Sequence, residues 1–175
     1  PYPPQFIDDI DPWKLPPADG PRVCLGIHEG DKPVWWDMAA DPHLLIGGPT
    51  KTGKSVVMRL ILKGLLQSAL DFRFAVLGVQ AGDWDAALCF RQSWGFHGVE
   101  DAPRAVAWML DENERRKVAR VKTPPVVVFV DDLLALLDKR TGHPDLLPAL
   151  TTLFVQARHQ GFHFVAGLQV VSAID

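Results

Sequence analysis

The sequence predicts an α/β domain: a mostly parallel central sheet covered by helices on both faces. Three observations predict it. A glycine-containing stretch, Gly48-Pro49-Thr50-Lys51-Thr52-Gly53-Lys54-Ser55, lies between a short apolar run and a segment of helical periodicity. A continuous β-branched run, Val126 to Val130, ends in two acids, Asp131 and Asp132. Elsewhere, apolar runs of strand length alternate with segments of helical spacing, which implies parallel strands joined by right-handed crossovers.

Bulk properties bound the answer. The chain has 175 residues, 47% of them hydrophobic, enough for one globular domain with a real core. The formal charge of −3 excludes a uniformly basic nucleic-acid coat but leaves room for a local basic channel. Cys24 and Cys89 sit in no metal-type spacing and read as reduced, buried thiols of an intracellular protein. No apolar run reaches membrane-spanning length, so no membrane contact is expected within this stretch. The chain starts at Pro1 without a methionine and reads as an excised part of something longer, truncated at its C-terminus. A cytoplasmic location follows, with any membrane anchor outside it.

Taken in order, residues 1–21 carry seven prolines and read as an extended arm or linker, with Trp13 and Leu15 pinning it to the domain. The domain proper is expected over 22–175. Its lead-in, 22–37, reads as a hairpin: Arg22–His28, a turn at Gly30-Asp31, then Val34-Trp35-Trp36. The tryptophans read mainly as packing for the hairpin, with base stacking as the other use. His43–Gly47 is a buried strand and Val56–Gln67 a helix. Phe72–Val79 is a second strand, Gln80–Asp83 a turn at its C-terminal end, Trp84–Phe90 a short helix, and Trp94–Val99 irregular. A helix with Pro103 in its first turn runs to Arg120. Its Glu112, Glu114, Arg115, Arg116, Lys117 and Arg120 read as a solvated face with helical ion pairs. After Pro124-Pro125 come the Val126–Val130 strand, a helix over Leu133–Asp138, a loop over 139–144, a helix over Asp145–Gln160 stopped by Gly161, and a last strand from Phe162 to Gln169.

The chemistry sits in two places. The loop fits G-x-x-x-x-G-K-[ST] in its strand–loop–helix context. Gly48 and Gly53 permit a tight turn and close approach to a polyphosphate, with Pro49, Thr50, Lys51, Thr52 and the amides up to Val56 around it. Lys54 is placed to neutralise β- and γ-phosphate charge, and the Ser55 hydroxyl to ligate Mg²⁺. Lys51 either touches phosphate or stays solvated. An apolar strand ending in an acid is the metal-side partner of such a loop, which assigns Mg²⁺ to Asp131 together with Ser55. Asp132 falls where a carboxylate polarises the attacking water; the lesser reading is that it simply caps the next helix. As an aspartate it is a methylene short of the more usual glutamate, and a misplacement of about 1 Å can cost on the order of 10²-fold, so either the local geometry compensates or turnover is slow. Gln169 ends its strand at the γ-phosphate edge and reads as a phosphate sensor or an ordinary polar strand end. The residues bet to act in catalysis are Lys54, Asp131, Asp132 and Gln169, with ATP as nucleotide.

Several segments together resemble one family. His43–Leu66, Trp108–Arg116, Pro125–Leu137 and Ala157–Gln169 are similar, in that order, to segments of FtsK/SpoIIIE DNA translocases, and Leu25–Asp37 looks like that family's lead-in hairpin. The resemblance implies a RecA-like P-loop NTPase core of α/β/α layers. In it, the Gln169 strand should lie between the loop strand and the Asp131 strand. It also implies ATP- and Mg²⁺-dependent pumping of double-stranded DNA by a homo-oligomeric, hexameric ring. Arg158 and Arg140 are candidates for an arginine reaching a neighbour's nucleotide, although Arg158, late in its helix, reads first as an ordinary cation favoured by the helix dipole. The chain departs from the family at Asp131-Asp132, at Gly78-Val79-Gln80 and at Val170-Val171. The related type VII secretion motors (EccC), which act on protein substrates, also resemble it, and a nucleotide-binding scaffold without useful turnover is a third reading.

Overall fold

The computed structural model describes residues 15–28, 32–78, 84–91, 93–140 and 142–169. The turns expected at Gly30-Asp31 and Gln80–Asp83, Trp13 and most of the proline arm, and the departures at Val79-Gln80 and Val170-Val171 lie outside the described residues. Leu15 does meet the domain, lining a small crevice with Val23 and with Leu60 and Gly64 of the first helix.

Strands β1 (Arg22–His28) and β2 (Lys32–Asp37) form an antiparallel hairpin with a register shift between Cys24 and Gly26. The remaining strands are β3 (His43–Gly48), β4 (Arg73–Gly78), β5 (Ser93–His97), β6 (Val126–Asp131) and β7 (Phe162–Gln169). They make a five-stranded parallel sheet in the order β3-β7-β6-β4-β5. The β7 strand thus separates the loop strand from the Asp131 strand, as the family resemblance implied. The long helices are α1 (Lys54–Gln67), α3 (Ala102–Ala119) and α5 (Leu147–Gln156); two single-turn helices, α2 (Asp85–Leu88) and α4 (Leu133–Leu136), complete the described set.

β6 shows how the layers arise. Every residue from Val126 to Val130 is buried, so both faces of the strand are covered. Alternate side chains diverge. Val126, Val128 and Val130 pack with Ala105, Val106 and Met109 of α3 and Leu150 and Leu153 of α5. Val127 and Phe129 pack on the opposite face with Met58, Ile61 and Leu65 of α1 and with Trp36 and Met38 of the hairpin. Trp36 is therefore a packing residue; its indole N–H donates to the Asp41 carbonyl at 2.7 Å. Trp35 is half-buried, under the Arg22 guanidinium.

Five local expectations need correction. Trp94–Val99 is not irregular: residues 93–97 form β5, the edge strand beside β4. Trp94 and Phe96 share one face and both rings meet Trp108 of α3, at 4.9 and 5.8 Å between centroids, which holds a short glycine-containing segment to the sheet. The helix expected over 145–160 is three pieces, a 3-10 turn at Pro144–Leu146, α5, and a 3-10 turn at Ala157–Gln160, while α4 stops at Leu136, short of Asp138. Cys24 is buried but Cys89 is exposed. Finally, the charged face of α3 is not uniformly solvated. Glu112–Arg115 and Glu114–Lys117 are surface pairs, but Arg116 is 3% exposed. Its guanidinium bonds Glu112 at 2.7 Å, donates to the carbonyls of Gln160 (3.1 Å) and Lys122 (3.4 Å), and lies over the Phe162 ring.

Candidate nucleotide site

The three strands that matter end together. Gly48 is in register with Gln169, and Val130 with Ala166, so the C-termini of β3, β7 and β6 share one edge of the sheet. That is the edge at which open parallel sheets bind ligands.

The loop leaving β3 is shaped by its sequence. Gly53 sits at φ 88°, a left-handed conformation favoured by glycine, and forms the N-cap of α1. A Cβ on Gly48 would lie 2.7 Å from Thr52 Oγ1, which itself donates to the Pro49 carbonyl at 2.8 Å. Lys51 also has positive φ, at 65°. No side chain caps α1 and its first turn holds no acid, so the positive end of the helix faces the cavity without a competing carboxylate of its own. Lys54 curls over the loop, its ammonium donating to the carbonyls of Gly48 (2.9 Å) and Pro49 (2.7 Å).

The second half of the site meets the first directly. Ser55 Oγ lies 3.2 and 3.1 Å from the two carboxylate oxygens of Asp131, across 76 residues of sequence. The Gln169 amide donates to the Thr50 hydroxyl, joining the β7 end to the loop. Asp132 has φ 62° and its Oδ1 accepts from the Ala135 amide at 3.1 Å, so it caps α4. It also lines the cavity. That cavity holds about 480 Å³ and is bounded by Thr50, Lys51, Gly53, Lys54, Ser55, Val56, Arg59, Asp131, Asp132 and Gln169. Every residue assigned from the sequence to nucleotide, metal or catalysis thus belongs to the loop or the cavity wall. Arg158 and Arg140, the candidates for a neighbour's nucleotide, do not. Arg158 lies in the 3-10 turn before β7, at the opposite edge of the sheet from Gln169; β7 alone, from Phe162 to Gln169, spans about 23 Å. Arg140 is exposed in the loop after α4.

Two residues at the site were missed, one in the cavity wall and one behind it. Arg59 is four positions after Ser55 on α1, and that spacing alone puts it on the same helix face. Trp84 reaches the site from the β4–α2 connection; its indole N–H donates to Asp131 Oδ2 at 3.3 Å, and no sequence spacing announces that contact.

The donor set suits Mg²⁺. One hydroxyl and one carboxylate are side by side, both hard oxygen ligands, and no cluster of three or more His, Cys, Asp or Glu exists among the described residues. Mg²⁺ is usually held by one or two carboxylates together with phosphate oxygens and water rather than by an all-protein cage.

A glycine-rich loop between a parallel strand and a helix, facing an acid-ended strand two positions away in the sheet, defines the P-loop ATPase class of α/β domain. No protein-family model matches the chain. It is 30% identical over 161 residues to the ESX secretion system protein EccC of Geobacillus thermodenitrificans, covering 83% of this chain and 10% of that protein. It is 35% identical over 103 residues to the DNA translocase FtsK of Pseudomonas putida, covering 54% of this chain and 12% of that one. The chain therefore spans about a tenth of the length of these curated relatives. The cytoplasmic domain of the Thermomonospora curvata type VII secretion ATPase EccC superposes with a TM-score of 0.71 at 20% identity, over 94% of this chain and 23% of that one. The pCW3 conjugation coupling protein TcpA, solved with ATPγS, superposes with a TM-score of 0.69 at 20% identity, over 97% and 51%. The chain is a relative of the FtsK/SpoIIIE-type ATPases, and its fold is theirs.

Proposed function

We propose that this domain binds ATP with Mg²⁺ at the 48–55 loop and hydrolyses it as the motor core of a larger translocase. The observation that carries the reading is the direct contact of Ser55 with Asp131, because a metal bridging a nucleotide to the protein needs those two oxygens together. In this reading the loop amides and Lys54 hold the phosphates, Lys54 leaving the Gly48 and Pro49 carbonyls to do so. Ser55 and Asp131 hold Mg²⁺, which when bound neutralises phosphate charge. Asp132 polarises the attacking water through the oxygen not used by its cap. Gln169, tied to Thr50, reports the γ-phosphate to β7. Lys54→Ala should reduce ATP affinity and turnover by at least about 10²-fold, the scale for removing a positioned charge from such a site. An unaffected variant would remove the assignment.

The cargo is the finer question. The Glu114-Arg115-Arg116 group of α3 gives duplex DNA little to bind, because Arg116 is buried and Arg115 is held by Glu112. The 30% match to the secretion system protein EccC runs over 161 residues, 83% of this chain, and the charge is −3. We therefore favour a protein substrate, with DNA the second reading, favoured by the 35% match to FtsK. Within the full protein we propose a homo-oligomeric, hexameric ring in the cytoplasm, with exposed Arg140 or Arg158 offered to a neighbouring copy. No described helix is long and apolar enough to cross a membrane. ATPase activity of a longer chain measured with and without duplex DNA, across a salt series, decides the cargo: DNA stimulation that collapses with salt makes it a DNA motor.

A further inference from the structure

We infer that Trp84 is the positioning residue for the metal-side carboxylate, and that its indole N–H, rather than its bulk, sets how well the domain holds Mg²⁺. The inference rests on the proposed nucleotide site. Trp84 is 2% exposed. An indole N–H is a donor only, and buried donors require an acceptor. Here the acceptor is Asp131 Oδ2, at 3.3 Å. The ring is fixed from below by Phe129, 5.5 Å away between centroids, and Phe129 and Asp131 are two apart on β6, so their side chains share a face. Asp131 is thus approached by two donors, the Ser55 hydroxyl and the Trp84 indole. The serine carries one hydrogen and can serve one oxygen at a time. With Trp84 on Oδ2, the carboxylate is held against rotation; Ser55 reaches either oxygen, and Oδ1 is the one the indole leaves open to a cation. Partners of this kind, one shell out from a metal, orient the ligand, and losing one typically weakens metal binding by about 10–100-fold.

Core packing alone is the competing account, since Trp84 lies among the buried residues between α1 and the sheet. Trp84→Phe separates the two, because it keeps an aromatic ring on Phe129 and removes only the donor. Fluorescent ATP analogue affinity is measured with excess EDTA and across a Mg²⁺ titration, alongside thermal melting. We expect the Mg²⁺ requirement to rise about tenfold, at the lower end of the range for such partners, while metal-free nucleotide affinity is unchanged. An unaltered Mg²⁺ requirement overturns the inference. So does an equal loss of metal-free and Mg²⁺-dependent binding, which would mark a packing residue. In case the variant does not fold, the wild-type protein carries its own readout. The Trp84 indole N–H resonance, assigned from its contacts with the Phe129 ring, should shift when Mg²⁺ is added to the nucleotide-bound protein. A resonance that ignores the metal overturns the inference as well. If wild-type protein binds no nucleotide under either condition, the proposed function fails first and takes this inference with it.

Discussion

Lys54 and Arg116 are both cations on helices that flank the same sheet, and they are used in opposite ways. At the C-terminal edge, Lys54 rests on two loop carbonyls beside an open cavity, near a hydroxyl, two acids and an uncapped helix end. On the other face of the sheet, at its N-terminal edge, Arg116 is consumed by the protein: one carboxylate, two carbonyls and an aromatic face. The lesson is that a cation's role is read from what remains unmatched around it. The Arg116 group knits the end of α3 to the segments that enter β6 and β7, and holds shape. The Lys54 group has more polar capacity than its own chain uses, which is what the proposed nucleotide site requires.

Four experiments break or sharpen that contrast, in falling order of expected effect. Lys54→Ala should remove at least about 10²-fold of ATP affinity while leaving unfolding free energy within about 0.5 kcal/mol of wild type, as for surface changes away from structural features. Chemical denaturation and nucleotide titration on the same sample check both halves. Arg116→Ala should do the reverse. Removing one partner of a buried pair costs about 3–5 kcal/mol, and because Glu112 keeps some solvent access the lower end is expected, with nucleotide affinity unchanged. Loss of nucleotide binding in a folded Arg116→Ala protein would erase the distinction.

The third experiment divides the two duties of Asp132. Asparagine can still accept the Ala135 amide and tolerates positive φ, so Asp132→Asn should keep stability and lose turnover, whereas Asp132→Ala should lose both, with about 1 kcal/mol from the missing cap. Full turnover in the asparagine variant would reduce Asp132 to a cap. Glutamate is the longer side chain that catalysis would favour, and Asp132→Glu is expected to raise turnover only if it can still end α4; no gain would show that the cap governs this position.

The fourth and smallest effect is a pH dependence of stability at the N-terminal edge. Burial pushes His43 below the usual histidine range, with Arg158 also opposing its charge and the Phe154 carbonyl offsetting part of this. Burial does the same to His163, the Pro42 carbonyl opposing the shift and His43 adding to it. His43 Nδ1 accepts the Phe164 amide at 3.2 Å, which requires that nitrogen unprotonated. Both groups therefore bind protons more readily unfolded than folded. Their contribution is fully present above about pH 6.5, and it declines as pH falls from there toward the depressed folded values. A urea midpoint that stays flat from pH 7.5 to 5.5 in wild type, or that is as pH-dependent in His43→Gln as in wild type, would contradict this.

These contrasts also mark what the sequence could reveal. The loop and the acid-ended strand were legible because each is a local pattern whose spacing carries its chemistry, and strand alternation then placed them in one sheet. Arg116 was misread because Glu112 and Arg116 at helical spacing look alike whether the pair faces water or Phe162; only the fold brings the Gln160 carbonyl to it. Trp84 was illegible as a site residue because its partner is 47 positions away. β5 was missed although Trp94 and Phe96 alternate, since Gly95 weakens the strand pattern and the pull toward strand comes from Trp108 on another element. Asp132 was left between two roles; its cap is now visible, and the residue also lines the cavity.

Calorimetric titration of ATPγS into wild type and Asp131→Asn, each with Mg²⁺ and with EDTA, addresses the joint between loop and acid most directly. The account predicts that Mg²⁺ tightens binding to wild type and does nothing for Asp131→Asn, while both bind alike in EDTA. Equal Mg²⁺ enhancement in the two proteins would mean that the carboxylate beside Ser55 is not where the metal sits.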